Sequence, residues 1–243
     1  MIAMTDHTAK AFDTDLQQLA RMVAEMGGLA EKQVADSVDA LAKRDTALAQ
    51  RITAADAQID ALQRDIEEKA VLTIARRQPM AVDLREIVSA LRLANDLERI
   101  GDLAKNIAKR VIALNAEFPP PKLIRGVEHM ADLVLTQLKA VLDAYAQRDL
   151  TKALAVWRGD EEIDAMTTSV FRELLTYMME DPRNITFCIH LMFCAKNIER
   201  MGDHATNIAE TVHYMIEGRT ITEKRPKGDD TTAFAALRAA ADR

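Results

Sequence analysis

The chain has 243 residues, about half of them apolar, and a net charge of −6, so it can bury a sizeable core and is not disordered throughout. The negative charge argues against a nucleic-acid-binding protein, which needs a basic surface. Only 8 glycines, 6 prolines and 4% aromatic residues occur. This composition disfavours strands and predicts an all-α protein.

Neither a membrane span nor an export signal is expected. The longest apolar run, residues 185–195, is interrupted by His190 and is well short of the roughly 20 residues that cross a bilayer. The amino terminus is polar and has neither the basic nor the apolar region of a signal peptide. Cys188 and Cys194 are about 9 Å apart along one expected helix, too far for a relaxed disulfide. These features predict a cytoplasmic protein with reduced thiols.

The first half of the chain predicts three long helices, over about 9–43, 46–77 and 83–115. Asp45 is a suitable N-cap for the second helix, and Pro79 follows its end. Asp83 with Glu86 three residues later is typical of a capping box, which would begin the third helix.

The triple proline at 119–121 cannot continue a helix and separates the two halves. Three further helices are expected beyond it, to about 147, over 150–180, and from the break at Asp181-Pro182 to about 218.

The two halves are an internal repeat. Matching positions carry the same residues: Asp45 and Asp149, Asp56 and Asp160, Asp60 and Asp164, Pro79 and Pro182, and ERIGD at 98–102 and ERMGD at 199–203. The predicted fold is therefore two tandem three-helix bundles with six long helices. The expected domains are 1–118 and 119–218, followed by a flexible tail, 219–243.

Acidic residues occupy matched places in both halves. In the third helix, Glu98 and Asp102 fall nearly opposite an apolar stripe that includes Leu93, Ile100 and Ile107. Helices joined by a short turn run antiparallel, so residues equidistant from the turn are level. The sequence predicts two outward-facing patches, formed by Asp56, Asp60, Glu98 and Asp102 in the first half and by Asp160, Asp164, Glu199 and Asp203 in the second.

These patches are predicted metal sites. Four carboxylates within one helical turn repel one another and raise each other's pKa unless a cation lies among them. Ligands that are all oxygen favour iron(III), manganese, magnesium or calcium over zinc. Gly101 and Gly202 lie between the acids of each motif and would let either a neighbouring helix or a bridging oxygen ligand come close. The sequence leaves that choice open.

The acids allow three other interpretations. They can form a solvated surface that pairs with Lys105, Arg99 and Arg200. A metal-independent scaffold would use the patches to steer basic partner surfaces. A ferritin-like di-iron protein needs two ExxH motifs in a bundle core, and Glu210 with His213 is a single match.

No Cys/His/Asp constellation, Walker loop or GxGxxG motif occurs, so no enzyme is expected.

Several short motifs carry a family resemblance that extends over about residues 7–218. They are MGGLAE at 26–31, ARRQP at 75–79, DLR at 83–85, LERIGD at 97–102, TYMMED at 176–181 and FCAKNIERMGD at 193–203. At these residues the chain resembles the PhoU family, the phosphate-specific transport system accessory proteins.

The resemblance implies a cytoplasmic, often dimeric protein that negatively regulates phosphate uptake and phosphate-responsive two-component signalling. Its implied partners are the ATPase subunit of the phosphate ABC transporter and the phosphate sensor histidine kinase, and it would reach the membrane only through them. Family members hold multinuclear iron or other metal clusters at E/DxxxD motifs. Here that pattern is matched by Asp56 to Asp60, Glu98 to Asp102, Asp160 to Asp164 and Glu199 to Asp203, with Asn106 and Asn207 as further candidates.

Overall fold

Long α-helices make up almost all of the chain that the structure describes. The structure is a computed structural model and describes residues 2–114, 121–223 and 225, with side chains for 12–114, 123–223 and 225. The helices are α1 (Ile2–Lys43), α2 (Thr46–Arg77), α3 (Val82–Leu114), α4 (Pro121–Gln147), α5 (Leu150–Arg158), α6 (Asp160–Glu180) and α7 (Ile185–Glu217). No strand occurs in these ranges. The all-α prediction is confirmed, and α5 with α6 forms the fifth of the six long helices.

The first bundle consists of α1, α2 and α3, each packed against the other two. Arg44, with a φ of 61°, reverses the chain after α1. The Asp45 carboxylate then accepts a 2.8 Å hydrogen bond from the Leu48 N–H and caps α2, as predicted. α2 ends at Gln78, which has the left-handed conformation, and Pro79 follows.

The second bundle has the same arrangement, built from α4, the α5–α6 pair and α7. Asp149 caps α5 by accepting hydrogen bonds from the N–H groups of Thr151 and Lys152, at 3.0 and 3.1 Å. Asp181 is extended and ends α6, and a 3-10 turn at Pro182–Asn184 leads into α7. The sequence repeat is therefore a structural repeat, and the tandem-bundle prediction is confirmed.

The fifth helix differs from the prediction because Gly159 divides it into α5 and α6. The Gly159 carbonyl accepts a 2.8 Å hydrogen bond from Gln137 Nε2 of α4. In the first half, α2 passes without a break through Ala55, the residue that matches Gly159 in the repeat. Glycine is about 1 kcal/mol less favourable than alanine inside a helix, so an interruption costs less in the second copy than in the first.

The capping box predicted for α3 is not formed. α3 begins at Val82, so Asp83 lies inside its first turn, and the preceding Ala81 has a φ of 48°. The Glu86 carboxylate instead pairs with the guanidinium of Arg148, which follows α4. Glu86 therefore links the two bundles.

The bundles pack together through α3 and α7, and also through α1 and α4. The first pair is antiparallel. Arg92, near the start of α3, lies 4.9 Å from the ring centroid of Tyr214, near the end of α7. Arg110, near the end of α3, lies 4.4 Å from the ring of Phe193, near the start of α7. Between them, His204 Nδ1 lies 2.9 Å from the Asp96 carboxylate. A single hydrophobic core extends through both bundles.

Cys188 and Cys194 are free thiols in this core. Burial raises the thiol pKa of Cys194 to about 12, against the opposing charge of Arg110. Burial also raises the pKa of Cys188. Because the thiolate is the reactive form of cysteine, both side chains are held unreactive in the folded protein.

The predicted domain boundaries remain predictions. The boundary at 118/119 falls within residues 115–120, which lie outside the described part of the chain. Of the predicted tail 219–243, the structure describes residues 219–223 and Arg225. Within the described helices, none is long and apolar enough to cross a membrane.

Candidate functional site

The four acids predicted in the first half lie together on α2 and α3, and we call them the first acidic cluster (Asp56, Asp60, Glu98 and Asp102). The Lys105 ammonium joins two of them. Its Nζ lies 2.5 Å from Asp102 Oδ1 and also donates to the Asp56 carboxylate. Asp56 is only 4% exposed, so it depends on this partner, because an unpaired buried charge is strongly unfavourable.

Gln33 of α1 supports the first acidic cluster from its buried side. Its Nε2 donates to Asp56 Oδ1 at 3.1 Å and lies 3.5 Å from the carbonyl oxygen of Gly101. All three helices of the bundle therefore contribute to the cluster.

The electrostatics of the cluster affect Glu98 and Lys105. Burial raises the pKa of Glu98 above its ordinary value. The charge of Arg99 acts against this, and the charges of the other three acids add to it. Burial alone would lower the pKa of Lys105, but its hydrogen bonds to Asp102 and Asp56 raise it overall. Because the charge of Asp60 acts on Glu98, the two carboxylates predicted to be level are within electrostatic reach of each other.

The second acidic cluster contains the matching residues of α6 and α7 (Asp160, Asp164, Glu199 and Asp203). Its cation comes from a distant part of the chain. Arg225 Nη2 lies 2.5 Å from Asp160 Oδ2 and 2.8 Å from Asp203 Oδ1. Asp160 is 2% exposed. Burial lowers the pKa of the Arg225 guanidinium, but the two aspartates raise it overall.

Thr206 explains why the second cluster needs a cation from elsewhere. It stands three residues after the aspartate of ERMGD, where the first half has Lys105. The Thr206 hydroxyl donates to the Gly202 carbonyl at 3.1 Å and lies 3.4 Å from Asp160 Oδ1. A hydroxyl supplies no charge, and Asp160 and Asp203 pair with Arg225 instead.

Glu199 is the counterpart of Glu98. Burial raises its pKa, and the charges of Asp203 and Asp164 add to this effect. Lys196, whose Nζ is 2.7 Å from Glu199 Oε2, acts in the opposite direction. As in the first half, the helix pair brings the glutamate within reach of the aspartates on both helices.

The two motif glycines allow close helix packing. A Cβ on Gly101 would lie 2.9 Å from Ile59 Cδ1 of α2, and a Cβ on Gly202 would lie 2.9 Å from Ile163 Cδ1 of α6. Both distances are too short for real carbon atoms. The question that the sequence left open is answered in favour of a neighbouring helix.

The prediction that the acids face outward is wrong for three of them. Asp56, Asp160 and Asp164 are 4%, 2% and 9% exposed. The helical wheel of α3 or α7 alone does not reveal this burial, because α2 or α6 covers the cluster. Asn106 and Asn207 are exposed, as expected from their positions.

The sequence indicates two of the polar partners of the acids but not the others. Lys105 and Arg99 do pair with the first cluster, as the solvated-surface interpretation proposed. Gln33 was missed, although Gln137 recurs at the matching place in the second half and signals a repeated role. Arg225 was missed because the segment after α7 has no periodic pattern that would place it.

The donor chemistry of the clusters suits a hard cation, but the arrangement does not. All eight residues supply carboxylate oxygens, the ligands of iron(III), manganese, magnesium and calcium. Among the residues described, however, no three acidic, histidine or cysteine side chains are placed to hold a metal ion. Basic side chains already occupy the space between the aspartates in each cluster.

The ferritin-like alternative receives no support from its single ExxH motif. Glu210 accepts a 3.0 Å hydrogen bond from Trp157 Nε1, and His213 Nδ1 lies 3.0 Å from the carbonyl oxygen of Arg219. Both side chains therefore have structural partners.

Comparison with known proteins gives consistent results. The family model described as the PhoU domain matches twice, at residues 23–111 and 127–212. The phosphate-specific transport system accessory protein PhoU homolog of Rhizobium meliloti is 59% identical, over 95% of this chain and 98% of its own. The protein of the same name from Caulobacter vibrioides is 53% identical, over 93% and 98%.

Solved structures share the fold. PhoU from Pseudomonas aeruginosa superposes with a TM-score of 0.82 at 42% identity, covering 86% of this chain and all of its own. The phosphate transport system regulatory protein PhoU from Streptococcus pneumoniae gives a TM-score of 0.80 at 27% identity, covering 87% of this chain and all of its own.

Proposed function

Because the chain belongs to the PhoU family, we propose that it is a negative regulator of phosphate uptake and of phosphate-responsive two-component signalling. An accessory role in phosphate transport is shared with its relatives. In this proposal it acts without catalysis, by binding the ATPase subunit of the phosphate ABC transporter and the phosphate sensor histidine kinase.

The observation that supports two partners is a pair of exposed apolar tips. The first tip is the α2–α3 turn region (Val71, Leu72, Met80, Val82 and Leu84), and the second is the α6–α7 turn region (Leu175, Met179, Ile185, Ile189 and Phe193). Met80 and Met179 are 78% and 85% exposed. Exposed apolar patches mark interaction sites, and methionine adapts to varied partner surfaces.

The two tips are at opposite ends of the molecule. Because α3 and α7 are antiparallel, the start of α3 lies beside the end of α7, where Arg85 contacts Gly218. The start of α7 lies beside the end of α3, as the contact of Arg110 with Phe193 shows. One chain therefore presents two separated apolar surfaces and can hold one partner at each.

The proposal includes a cytoplasmic location and a homodimer, both implied by the resemblance to the family. Light scattering on the purified protein tests the second of these. We expect a mass twice the 27.0 kDa of one chain, and a mass of 27.0 kDa would contradict the homodimer.

A hard metal ion at the acidic clusters remains part of the proposal, with one restriction from the structure. The ion would bind only where Lys105 or Arg225 moves away from the aspartates. Elemental analysis of protein purified without a chelator, beside the Glu98→Ala plus Asp102→Ala variant, tests this. A metal content that is zero, or equal in both proteins, would contradict binding at the first acidic cluster.

Capture of the two partners tests the proposed interactions. Wild-type protein should retain both the transporter ATPase and the kinase from solubilised membranes. Met80→Asp and Met179→Asp each place a charge in one tip. Each should weaken capture of one partner by roughly tenfold or more and leave the other unchanged, because charge is poorly tolerated in an apolar contact.

Gln50→Asp is the matched control, since it adds the same charge at an exposed position of α2 that belongs to neither tip. It should leave both interactions intact. If neither methionine variant changes capture, the tips are not the binding surfaces. If wild-type protein captures neither partner, the proposed interactions themselves are wrong.

Deletion of the gene tests the regulatory role. In high phosphate, phosphate-responsive transcription should rise in the deletion strain, because a negative regulator has been removed. Unchanged transcription would contradict the proposed function.

A further inference from the structure

A line of exposed side chains runs along α7 from the second tip. Its members recur at every third or fourth residue, and they are Ile185, Ile189, Phe193, Lys196 and Arg200. At about 3.6 residues per turn, these positions lie within about 80° of one another around the helix. The line is about 22 Å long, at about 1.5 Å per residue. We call it the α7 stripe.

The start of the α7 stripe is apolar. Ile185, Ile189 and Phe193 are 41%, 42% and 49% exposed, so each side chain can contact another protein. Leu175 and Met179 of α6, the helix that packs against α7, belong to the same tip. Apolar residues at this spacing suit the apolar face of a second helix, which presents its own side chains at every third or fourth residue.

The end of the α7 stripe is basic. The charge of Lys196 is balanced by Glu199, since the Lys196 Nζ lies 2.7 Å from Glu199 Oε2. Arg200 is exposed and forms no ion pair among the residues that the structure describes. Arg110 of α3 adds a second cation beside the stripe, 4.4 Å from the ring centroid of Phe193. Two arginines therefore offer positive charge next to the apolar part.

The matching line of α3 does not have this combination. The repeat gives five equivalent positions, which are Leu84, Val88, Arg92, Asn95 and Arg99. Arg92 stands where the stripe has its aromatic ring, and it lies 4.9 Å from the ring centroid of Tyr214. Asn95 is uncharged, and Arg99 Nε lies 3.4 Å from Glu98 Oε2. The line of α3 thus has fewer apolar residues, and its cations already have partners.

We propose that the α7 stripe binds an amphipathic helix of a partner protein, in which an apolar face is followed by acidic residues. The inference rests on the proposed function, in which the second tip holds a partner, and it specifies the chemistry of that partner. The apolar residues of the helix pack on Ile189 and Phe193, and its carboxylates lie opposite Arg200 and Arg110. Complementary charge fixes the register of the helix and disfavours a basic one.

Binding of two synthetic peptides to the full-length protein tests the charge preference. Both peptides have about 20 residues, enough to form a helix, and the same leucine face. One ends in glutamates and the other in lysines. Fluorescence anisotropy at low salt should give a roughly tenfold lower Kd for the acidic peptide, since each exposed charge pair contributes up to about fivefold. In about 1 M salt the preference should fall to about twofold, because exposed charges are screened.

Substitutions in the stripe test whether it is the binding surface. Arg200→Glu should weaken binding of the acidic peptide by roughly tenfold and strengthen binding of the basic one, because attraction becomes repulsion. Arg200→Lys should stay close to wild-type protein. Arg21→Glu is the matched control, since exposed Arg21 lines a groove of α1 with Met215, near the other end of α7. It should leave both affinities unchanged. Ile189→Asn should weaken binding of both peptides, because it removes an apolar contact.

Two results would overturn the inference. Equal affinities for the two peptides, or no binding of either, would show that the stripe does not select an acidic helix. An unchanged preference in Arg200→Glu would place the selection elsewhere on the protein. Capture of the transporter ATPase and the kinase decides the proposed function separately. If wild-type protein captures them but shows no peptide preference, only this inference fails. If it prefers the acidic peptide but captures neither, the proposed partners are wrong.

Discussion

At the scale of single residues, the acids of this protein are controlled by neighbours that the helix periodicity does not show. Asp56 and Asp160 lie in the interior, and each is neutralised by one basic side chain. The motif glycines lie beside these acids, and the space that a side chain would need is filled by Ile59 of α2 and Ile163 of α6.

Replacement of Gly202 by alanine should destabilise the protein by about 1 kcal/mol. The added methyl group overpacks Ile163, which costs about 1 to 3 kcal/mol, and the higher helix propensity of alanine offsets about 1 kcal/mol of this. Gly28→Ala is the control, because a Cβ there meets no atom within 4 Å. It should stabilise the protein by up to about 1 kcal/mol. Urea unfolding measures both, and equal effects would contradict the packing role of Gly202.

Glu199 should make the folded state less stable as pH rises above its ordinary pKa of 4.5. Its pKa is higher in the folded than in the unfolded protein, so the folded state binds more protons between the two values, and stability falls with pH in this window. Glu199→Gln removes the titration. Its stability relative to wild-type protein should therefore be greater at pH 7 than at pH 4. The prediction is wrong if urea unfolding gives the same difference at both pH values.

At the scale of helices, the ends of most elements could be predicted because local chemistry determines them. Asp45, Asp149 and Asp181 each accept a backbone hydrogen bond at a helix start, and Pro79 stands just after the end of α2. The break at Gly159 could not be predicted with the same certainty, since isolated glycines often remain inside helices. The break at Gly159 is stabilised by Gln137 of α4, whose side chain donates a hydrogen bond to the Gly159 carbonyl.

The capping aspartates should each contribute about 1 kcal/mol to stability. In Asp45→Ala and Asp149→Ala, the first N–H groups of α2 and α5 lose their acceptor, which typically costs about 0.5 to 2 kcal/mol. Asp45→Asn keeps a capping oxygen and should stay within a few tenths of a kcal/mol of wild-type protein. Thermal unfolding followed by circular dichroism measures the losses. Equal stability of the alanine and asparagine variants would exclude a capping role.

The candidate site could also be predicted in part, because local sequence and helix geometry determine some of its contacts. Glu98 and Asp102 are one turn apart on α3, so their proximity follows from helix geometry alone. The approach of α2 follows from the short turn and the repeat. The contributions of Gln33 and Arg225 depend on how segments distant in sequence pack, and no local pattern specifies that.

At the scale of the whole molecule, the two bundles form one packed body. α3 packs along α7, α1 packs against α4, and the core continues across these contacts. The pairs Asp96 with His204 and Glu86 with Arg148 add polar links between the bundles. This shared core couples the stability of one half to that of the other.

A core substitution in the first bundle should therefore destabilise both bundles together. Leu97→Ala removes a fully buried side chain of α3 and should cost about 2 to 5 kcal/mol. Calorimetry should show one transition, shifted to lower temperature. Val71→Ala, at a 61% exposed position, should have an effect of about 0.5 kcal/mol or less. A second transition that keeps the wild-type temperature would show that the bundles unfold independently.

The buried cysteines of α7 have a practical consequence. In the folded chain an alkylating reagent meets no accessible thiolate at Cys188 or Cys194. Their labelling therefore counts only molecules whose interior has opened. The two thiols therefore report unfolding without an added probe, in purified samples and in living cells.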